Sequence, residues 1–344
     1  MEKNRVILIH QHSRKCGGMG DLIRSCMTFY AVSKKNGFDF TIHLGLNPYL
    51  ELCFAPFPTF NINNEQKTFD IKYEQVCLLE GDYSQPPEKT NQLLNQITEW
   101  QSFSLQAENK IRIILIQSNA MGFWPVEEIA QWKQDFFNQF FKPSDLVASK
   151  IAEIRSKYNI VEKDYLSIHV RCGDLVIQKE QTEEQLAQNP FRHVLTESTD
   201  YRLLGDDISS IINHLMENIV KQINQSKTEI KQVIIHSDSK EMRSLLAQIA
   251  SKTMTDITFI TLDDVAVAHV AEFIGEVSGQ GFASTVAEFF IMSDAQMILS
   301  PTGNTISQFS LLASCAKNRP IMICESQKDH PALKLLPIQF VCTF

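Results

Sequence analysis

The sequence predicts an α/β fold in which parallel strands alternate with helices, and three observations support it. Residues 5–10 and 111–116 are strongly apolar runs, typical of strands that are buried on both faces of a parallel sheet. Residues 166–171 alternate apolar with polar side chains and lead into the turn-forming segment 172–174. Between such runs, apolar residues recur at helical spacing, as they do over 207–223. Strands that alternate with helices imply right-handed crossovers and doubly wound parallel sheets.

The length predicts two domains, because a chain of 344 residues exceeds the size at which one core stops growing. We expect an N-terminal Rossmann-like domain at 1–145 and a C-terminal one at 160–325, connected near 142–160. Two such domains facing each other leave a cleft between them, where ligands prefer to bind. Residues 326–344 are expected to form a C-terminal tail that packs back on the N-terminal domain.

The predicted elements follow in chain order. In the first domain we expect strands at 5–10, 38–46, 73–79 and 111–116, and helices at 22–36, 47–54, 93–103 and 125–158, the last interrupted at 142–145. In the second we expect strands at 166–171, 232–235, 257–262, 296–299 and 320–324, and helices at 207–223, 241–249, 284–292 and 306–315. Residues 276–281 are interpreted as a loop, and residues 320–324 as the strand that closes the sheet. The long polar segment 177–204 is interpreted as an active-site loop or a disordered connection.

Composition and charge exclude several classes of protein. With 44% hydrophobic and 21% charged residues, the chain is of ordinary globular composition. A net charge of -8 argues against a nucleic-acid or anionic-membrane partner, and no apolar stretch reaches the roughly 20 residues of a transmembrane helix. The eight cysteines contain no C-x-x-C pair and no short Cys/His spacing, so the sequence predicts no zinc site and no iron–sulfur cluster. Free thiols suggest a reducing compartment, and we expect the protein to be cytoplasmic.

A glycine-rich segment, which contains Gly17, Gly18, Gly20 and Asp21, joins the first predicted strand to the first helix. Glycines let the backbone approach a ligand closely, and a helix N-terminus favours negative charge. The segment matches neither the dinucleotide fingerprint nor the P-loop. A tight turn with no ligand explains it equally well, and Asp21 would then only complement the helix dipole.

An arginine and a carboxylate, Arg171 and Asp174, follow the 166–171 strand at its carboxyl end. Ligands of open α/β sheets bind outside the carboxyl ends of the strands. The planar guanidinium fork suits a phosphate, with which it makes two parallel hydrogen bonds. The alternative is an Arg–Asp pair that only fixes a turn.

A hydroxyl-rich segment, Ser300–Thr305, follows another buried strand and precedes a helix. The backbone N–H groups of that helix start and the hydroxyls of Thr302 and Thr305 would form an anion cradle. Alternatively, Asn304 or Thr305 is only a helix N-cap. Glu288 lies on an otherwise apolar helix face, where it would accept two hydrogen bonds from a guanine edge or be an ordinary solvated position.

Four segments together resemble the motifs of the α1,2-, α1,6- and protein O-fucosyltransferase superfamily, which includes the bacterial nodulation fucosyltransferase. Residues 169–174 (His-Val-Arg-Cys-Gly-Asp) are similar to its His-x-Arg-x-x-Asp signature, and Ser237-Asp238-Ser239 is similar to its second motif. Glu288 followed by residues 300–305 resembles the third, and residues 17–22 resemble the loop that opens these enzymes. The match covers the order and spacing of four motifs across most of the chain.

The resemblance implies a GT-B fold with the GDP-fucose donor on the C-terminal domain, the acceptor on the N-terminal domain, and neither metal nor cofactor. It also implies the residue roles: Arg171 would bind the β-phosphate and stabilise the leaving group, and Asp238 would lie near the nucleoside. His169 and Glu288 would contact guanine, while Thr302, Gly303, Asn304 and Thr305 would hold the diphosphate. Cys172 and Leu175 depart from the pattern of several relatives, so another nucleotide sugar stays open as donor.

The expected function is that of an inverting, metal-independent glycosyltransferase that moves a sugar, fucose by preference, to a glycan or protein hydroxyl. An inverting transfer requires a base near the acceptor hydroxyl, and the candidates are Asp21, Asp174, His12 and Glu180. Two alternatives stay open: a non-catalytic nucleotide-sugar binder of the same fold, and a Rossmann-type oxidoreductase. The oxidoreductase would require a true G-x-G-x-x-G with an acid about 20 residues on, which this chain lacks.

Overall fold

The structure is a computed structural model that describes part of the chain. The described residues are 5–11, 19–43, 52–55, 74–77, 111–116, 126–161, 164–170, 217, 220, 230–237, 240–263, 279–300, 308–324, 335 and 339–342. The predicted helix at 93–103 and the polar segment at 177–204 lie outside these residues. Of the predicted helix at 207–223, the structure describes Glu217 and Val220, and both are helical.

The chain divides into two compact units, Met1–Ser144 and Asp145–Phe344, each built around a parallel sheet. In the first unit the sheet has the order β2-β1-β4-β3 and all of its pairings are parallel. Its described elements are β1 (Arg5–Gln11), α1 (Met19–Asn36), β2 (Asp39–His43), β3 (Glu74–Cys77), β4 (Ile111–Ile116) and α2 (Val126–Phe140).

Helix α1 begins earlier than the sequence predicted. Gly20 and Asp21 lie in its first turn and not in a loop. Glycine is a weak helix former, which is why the sequence favoured a loop there. Met19 and Leu22 are buried, however, and the packing of an apolar face stabilises a helix more than propensity does.

An aromatic cluster holds α1 against α2. The ring of Tyr30 lies 5.6 Å from that of Phe136 and 5.4 Å from that of Phe140, and its hydroxyl donates a hydrogen bond to Gln139 Oε1 at 3.2 Å. Offset and edge-on aromatic pairs each add about 0.5–1.5 kcal/mol beyond the burial of their area. These phenylalanines are therefore core residues of the first unit.

In the second unit the sheet has the order β10-β9-β8-β5-β6-β7, again with parallel pairings. This is the strand order of the Rossmann fold, in which successive strands run outward on both sides of a switch point. The described elements are α3 (Asp145–Tyr158), β5 (Tyr165–Val170), β6 (Gln232–Ser237), α4 (Lys240–Thr253), β7 (Thr258–Thr261), α5 (Gly279–Asp294), β8 (Met297–Ser300), α6 (Gln308–Lys317), β9 (Ile321–Cys324) and β10 (Gln339–Cys342).

The two faces of this sheet differ in chemistry. One face is apolar and packs on α4 through residues such as Leu166, Val233 and Leu246. Successive side chains of a strand point to opposite faces, so Ser167 and His169 of β5 lie on the other face. That face is covered by α5 and α6, and it carries the polar groups of the candidate site.

Two predictions about this unit were wrong. Residues 320–324 do not close the sheet, because β10 pairs with β9 beyond them; this pairing also places 339–342, part of the expected tail, in the second sheet. A four-residue run such as Gln339–Cys342 is too short to be recognised without its partner. Helix α5 begins at Gly279, inside the predicted loop 276–281, because the packing of buried Phe282 and Ala283 outweighs the low helix propensity of the glycines beside them.

In the described part of the chain, no helix combines the length and apolar character needed to cross a membrane.

Candidate functional site

The switch point of the second sheet lies between β5 and β8. These strands are paired in register, with Leu166 opposite Met297 and Ile168 opposite Leu299. Strand β5 ends at Val170 and β8 ends at Ser300, so both strands end at the same edge of the sheet. Open α/β sheets bind ligands at the carboxyl ends of the strands that flank such a point.

Most of the predicted site residues lie outside the described residues, and their roles stay predictions. They are Gly17, Gly18, Arg171, Asp174, Asp238, Thr302, Gly303, Asn304 and Thr305. Gly20 and Asp21 belong to the first turn of α1 in the first unit; the structure describes the backbone of Asp21 but not its side chain. His169 and Glu288 are described, and both are buried in the second unit.

A polar cluster of four residues, Ser167, His236, Arg243 and Glu288, lies beside the switch point. Glu288 is only 7% exposed, and its Oε2 lies 3.4 Å from His236 Nδ1. Arg243 Nη2 lies 3.0 Å from Glu288 Oε1 and donates a hydrogen bond to Oε2 at 3.2 Å. The alternative of a solvated Glu288 is therefore wrong, since the carboxylate is inside an ion pair.

The imidazole of His236 connects this carboxylate to β5. Its Nε2 lies 3.3 Å from Ser167 Oγ, and the whole side chain is buried. A carboxylate only accepts hydrogen bonds, so Nδ1 carries the proton that faces Glu288. At Nε2 the ring faces the Ser167 hydroxyl, which can donate or accept, so both ring nitrogens have a partner.

Arg243 connects three elements although it lies in the first turn of α4. Its Nε and Nη2 donate to the carbonyl of Ser237 at 2.9 Å and 2.7 Å, and its Nη1 donates to the carbonyl of Leu262 at 3.0 Å. Ser237 ends β6, and Leu262 directly follows β7. The guanidinium, only 1% exposed, thus joins two strand ends to Glu288 of α5.

The electrostatics of the cluster favour an ionised Glu288. Burial alone would raise the pKa of this carboxyl group. The charge of Arg243 and the hydrogen bonds from His236 and Arg243 outweigh burial and hold the pKa below its ordinary value of 4.5. Glu288 Oε1 accepts no hydrogen bond from the described residues. Arg243 Nη2 therefore lies within ion-pair distance of both carboxylate oxygens, while the hydrogen bonds from the described residues fall on Oε2.

His169 occupies a separate, more apolar environment on the same face. Its ring lies 5.6 Å from that of Phe309 on α6, and Phe309 in turn lies 5.4 Å from Phe289 on α5. Next to it, Ser310 donates a hydrogen bond to Ser300 Oγ at 2.9 Å, which fixes the end of β8 against α6. The strand ends on both sides of the switch point are thus held by helices α5 and α6.

Sequence reasoning missed Arg243 and did not assign a role to His236. His236 stands at the end of a buried strand, beside the quoted Ser237-Asp238-Ser239 motif, so its position was a usable signal. Arg243 gave no such signal, because an arginine in the first turn of an amphipathic helix is ordinarily solvated. In the described ranges, no group of three or more His, Cys, Asp or Glu side chains is arranged to hold a metal ion.

Comparison with known proteins identifies the fold. Neither a family model nor a curated protein matches the sequence. Among solved structures, the NodZ α-1,6-fucosyltransferase co-crystallised with GDP is 12% identical over 92% of this chain and 93% of that chain, with a TM-score of 0.51. The selenomethionine form of fucosyltransferase NodZ from Bradyrhizobium is also 12% identical, with coverages of 92% and 93% and a TM-score of 0.50. The chain has a fucosyltransferase-like fold.

The predicted α/β class, GT-B with two Rossmann-like units, is therefore confirmed. POFUT1 in its apo form is similar as well, at 13% identity over 100% of this chain and 99% of that chain, with a TM-score of 0.48.

Proposed function

We propose that this chain is an inverting, metal-independent glycosyltransferase that transfers fucose from GDP-fucose to a glycan or protein hydroxyl. One observation carries the proposal: β5 and β8 are paired neighbours at the switch point. The segment that starts at Arg171 and the segment that starts at Pro301 therefore leave the sheet from adjacent strand ends. A guanidinium and a hydroxyl-rich helix start that meet there would bind one diphosphate.

The proposed transfer requires groups that stabilise the leaving diphosphate and a base that removes the acceptor proton. Breaking the glycosyl–diphosphate bond moves an electron pair onto the leaving oxygen of GDP. Arg171 and the N–H groups at 302–305 would stabilise that charge as preorganised donors. The base that removes the acceptor proton would be Asp21 or Asp174, with His12 and Glu180 as further candidates.

The polar cluster supports the nucleoside end of the proposal. Guanine presents N–H donors on the edge that carries its exocyclic amine, and Glu288 would accept from them as an ionised carboxylate. Oε2 already accepts from Arg243 and faces His236. Oε1 is buried and lies 3.0 Å from Arg243 Nη2, but it accepts no hydrogen bond from the described residues, so the guanine contact would fall on this oxygen. Asp238, which directly follows Ser237, would complete the nucleoside contact.

The first part of the test compares the stabilisation of the protein by different nucleotides. In thermal-shift measurements with GDP, UDP, NAD and GDP-fucose, we expect GDP and GDP-fucose to give the largest rise in melting temperature. Stabilisation by NAD alone would favour the oxidoreductase, and no response to GDP would remove the donor assignment.

The second part of the test separates an enzyme from a binder. We expect slow hydrolysis of GDP-fucose by the wild type, and Arg171→Ala should lose about 100-fold in kcat, as the loss of one preorganised donor typically costs. Arg171→Lys serves as the control that keeps the charge without the planar fork. GDP binding without any turnover in the wild type would establish the non-catalytic alternative.

We also propose a cytoplasmic location. The described cysteines Cys26, Cys53 and Cys315 are buried thiols, which suits a reducing compartment. Burial raises the pKa of the Cys53 thiol to about 12, so this thiol is not a reactive nucleophile.

A further inference from the structure

Arg243 occupies a position that is electrostatically unfavourable for its helix. It lies in the first turn of α4, where the helix dipole disfavours a cation, and it is only 1% exposed. Burying a guanidinium costs free energy, and a buried ion pair is often no more stabilising than a hydrophobic replacement. Stability alone therefore gives a weak account of this side chain.

The hydrogen-bond acceptors of the Arg243 guanidinium indicate its role better than stability does. Two of its hydrogen bonds end on the carbonyl of Ser237, the residue before Asp238, and another ends on Glu288. Asp238 and Glu288 are the two acids that the proposed function assigns to the nucleoside. Arg243 thus contacts both the Ser237 backbone and the Glu288 carboxylate.

We propose that Arg243 is a positioning residue for base selection: it fixes the carboxyl end of β6 and the carboxylate of α5 in the relative geometry that recognises a purine N–H edge. This inference rests on the proposed function, because it takes GDP as the nucleotide. Arg243 itself acts through Glu288 and the backbone before Asp238. Its removal should therefore impair the choice of base and leave the affinity for the diphosphate unchanged.

The chain offers a matched control, a second arginine that pairs with a carboxylate of α5. Arg155 of α3 donates through Nη2 to Asp294, the last residue of α5, six positions after Glu288. Lys317 Nζ lies 3.5 Å from the other oxygen of the Asp294 carboxylate. Arg243→Lys and Arg155→Lys each replace a guanidinium that pairs with a carboxylate of α5. Only the first of these pairs touches the polar cluster.

The experiment measures Kd for GDP and for UDP by calorimetry on the full chain, at a temperature where circular dichroism shows each variant to be folded. Arg243→Lys should lose about 10- to 100-fold in GDP affinity, as the loss of hydrogen bonds to a charged group implies. Its UDP affinity should stay near that of the wild type, so the GDP preference falls. Arg155→Lys should keep both affinities within about twofold, because its ion pair with Asp294 shares no residue with the polar cluster.

The outcomes are distinguishable. If the wild type binds no GDP, the proposed function fails and takes this inference with it. If the wild type binds GDP and Arg243→Lys keeps the wild-type preference, or loses both nucleotides equally, the positioning role is overturned while the proposed function stands. Should Arg243→Lys not fold, Arg243→Gln takes its place. Failure of both to fold beside a folded Arg155→Lys would make Arg243 a structural residue and also overturn the role.

Discussion

Glu288 links the charge of the polar cluster to the stability of the second unit. Its carboxylate is buried, and it stays ionised because Arg243 and His236 compensate the lost hydration. Removing one partner of a buried ion pair leaves the other charge uncompensated, which typically costs about 3–5 kcal/mol. Glu288→Gln should therefore destabilise the protein by about 3 kcal/mol at pH 7, the lower end of that range, because Arg243 keeps its bonds to two carbonyls.

The pH dependence of stability follows from the direction of the pKa shift. Since the folded pKa of Glu288 lies below its ordinary 4.5, the unfolded state binds the proton more readily. The stabilisation is fully present above that ordinary value and is lost as the pH falls through the folded pKa. Urea unfolding from pH 7 to pH 3 should show the wild type losing its advantage over Glu288→Gln in the acid range.

The exposed Glu153, which pairs with Lys150 on α3, provides the comparison carboxylate. Glu153→Gln should follow the pH profile of the wild type, because exposed pairs contribute little. A constant difference between the wild type and Glu288→Gln across the whole range would contradict an ionised, stabilising Glu288.

At the scale of the elements, three helices end in the same way. Phe38 N–H bonds to the Ser33 carbonyl at 2.8 Å after α1, Ile160 to Arg155 at 2.9 Å after α3, and Arg319 to Ser314 at 2.9 Å after α6. The residues that take positive φ in these ends are Gly37 (69°), Asn159 (51°) and Asn318 (50°). This is the Schellman arrangement, and glycine and asparagine are the residues that tolerate its left-handed position.

Gly37→Ala isolates the cost of that backbone conformation. A Cβ at Gly37 would meet no atom within 4 Å, so the change introduces no clash and only the positive φ opposes it. We expect a loss of about 1 kcal/mol in the free energy of unfolding. The measurement is urea unfolding, with Asn318→Gly as the matched change in the opposite direction at the end of α6. Equal stability of Gly37→Ala and the wild type would show that this helix end relaxes.

Some helix ends and strands could be predicted from the sequence because they depend on the chemistry of neighbouring residues. The Asn36-Gly37 stop of α1 and the apolar run of β4 are carried by the residues themselves. The start of α5 at Gly279, the edge strand β10 and the ion pair of Arg243 depend on distant partners. For the same reason the sequence predicted Glu288 as a candidate guanine-binding residue and left open whether its side chain was solvated. Burial is a property of the packed unit.

At the scale of the whole molecule, the division into two units makes it possible to determine which unit a bound nucleotide stabilises. A ligand that binds only the native state at 100 times its Kd stabilises that state by about 2.7 kcal/mol. If the donor binds at the β5–β8 switch point, that stabilisation belongs to the second unit, Asp145–Phe344. Amide hydrogen exchange reports such stabilisation locally, since each amide opens with its own free energy.

We therefore expect GDP at about 100 times its Kd to slow exchange most in peptides from β5, β6 and β8, and least in peptides from β1 and β4. Arg171→Ala provides the control, because the weakened diphosphate contact should abolish the protection at the same GDP concentration. Protection confined to β1 and β4 would move the nucleotide to the first unit. In that case the amides at the ends of β5 and β8 would exchange as fast with GDP as without it, and the pairing of these strands would position no ligand.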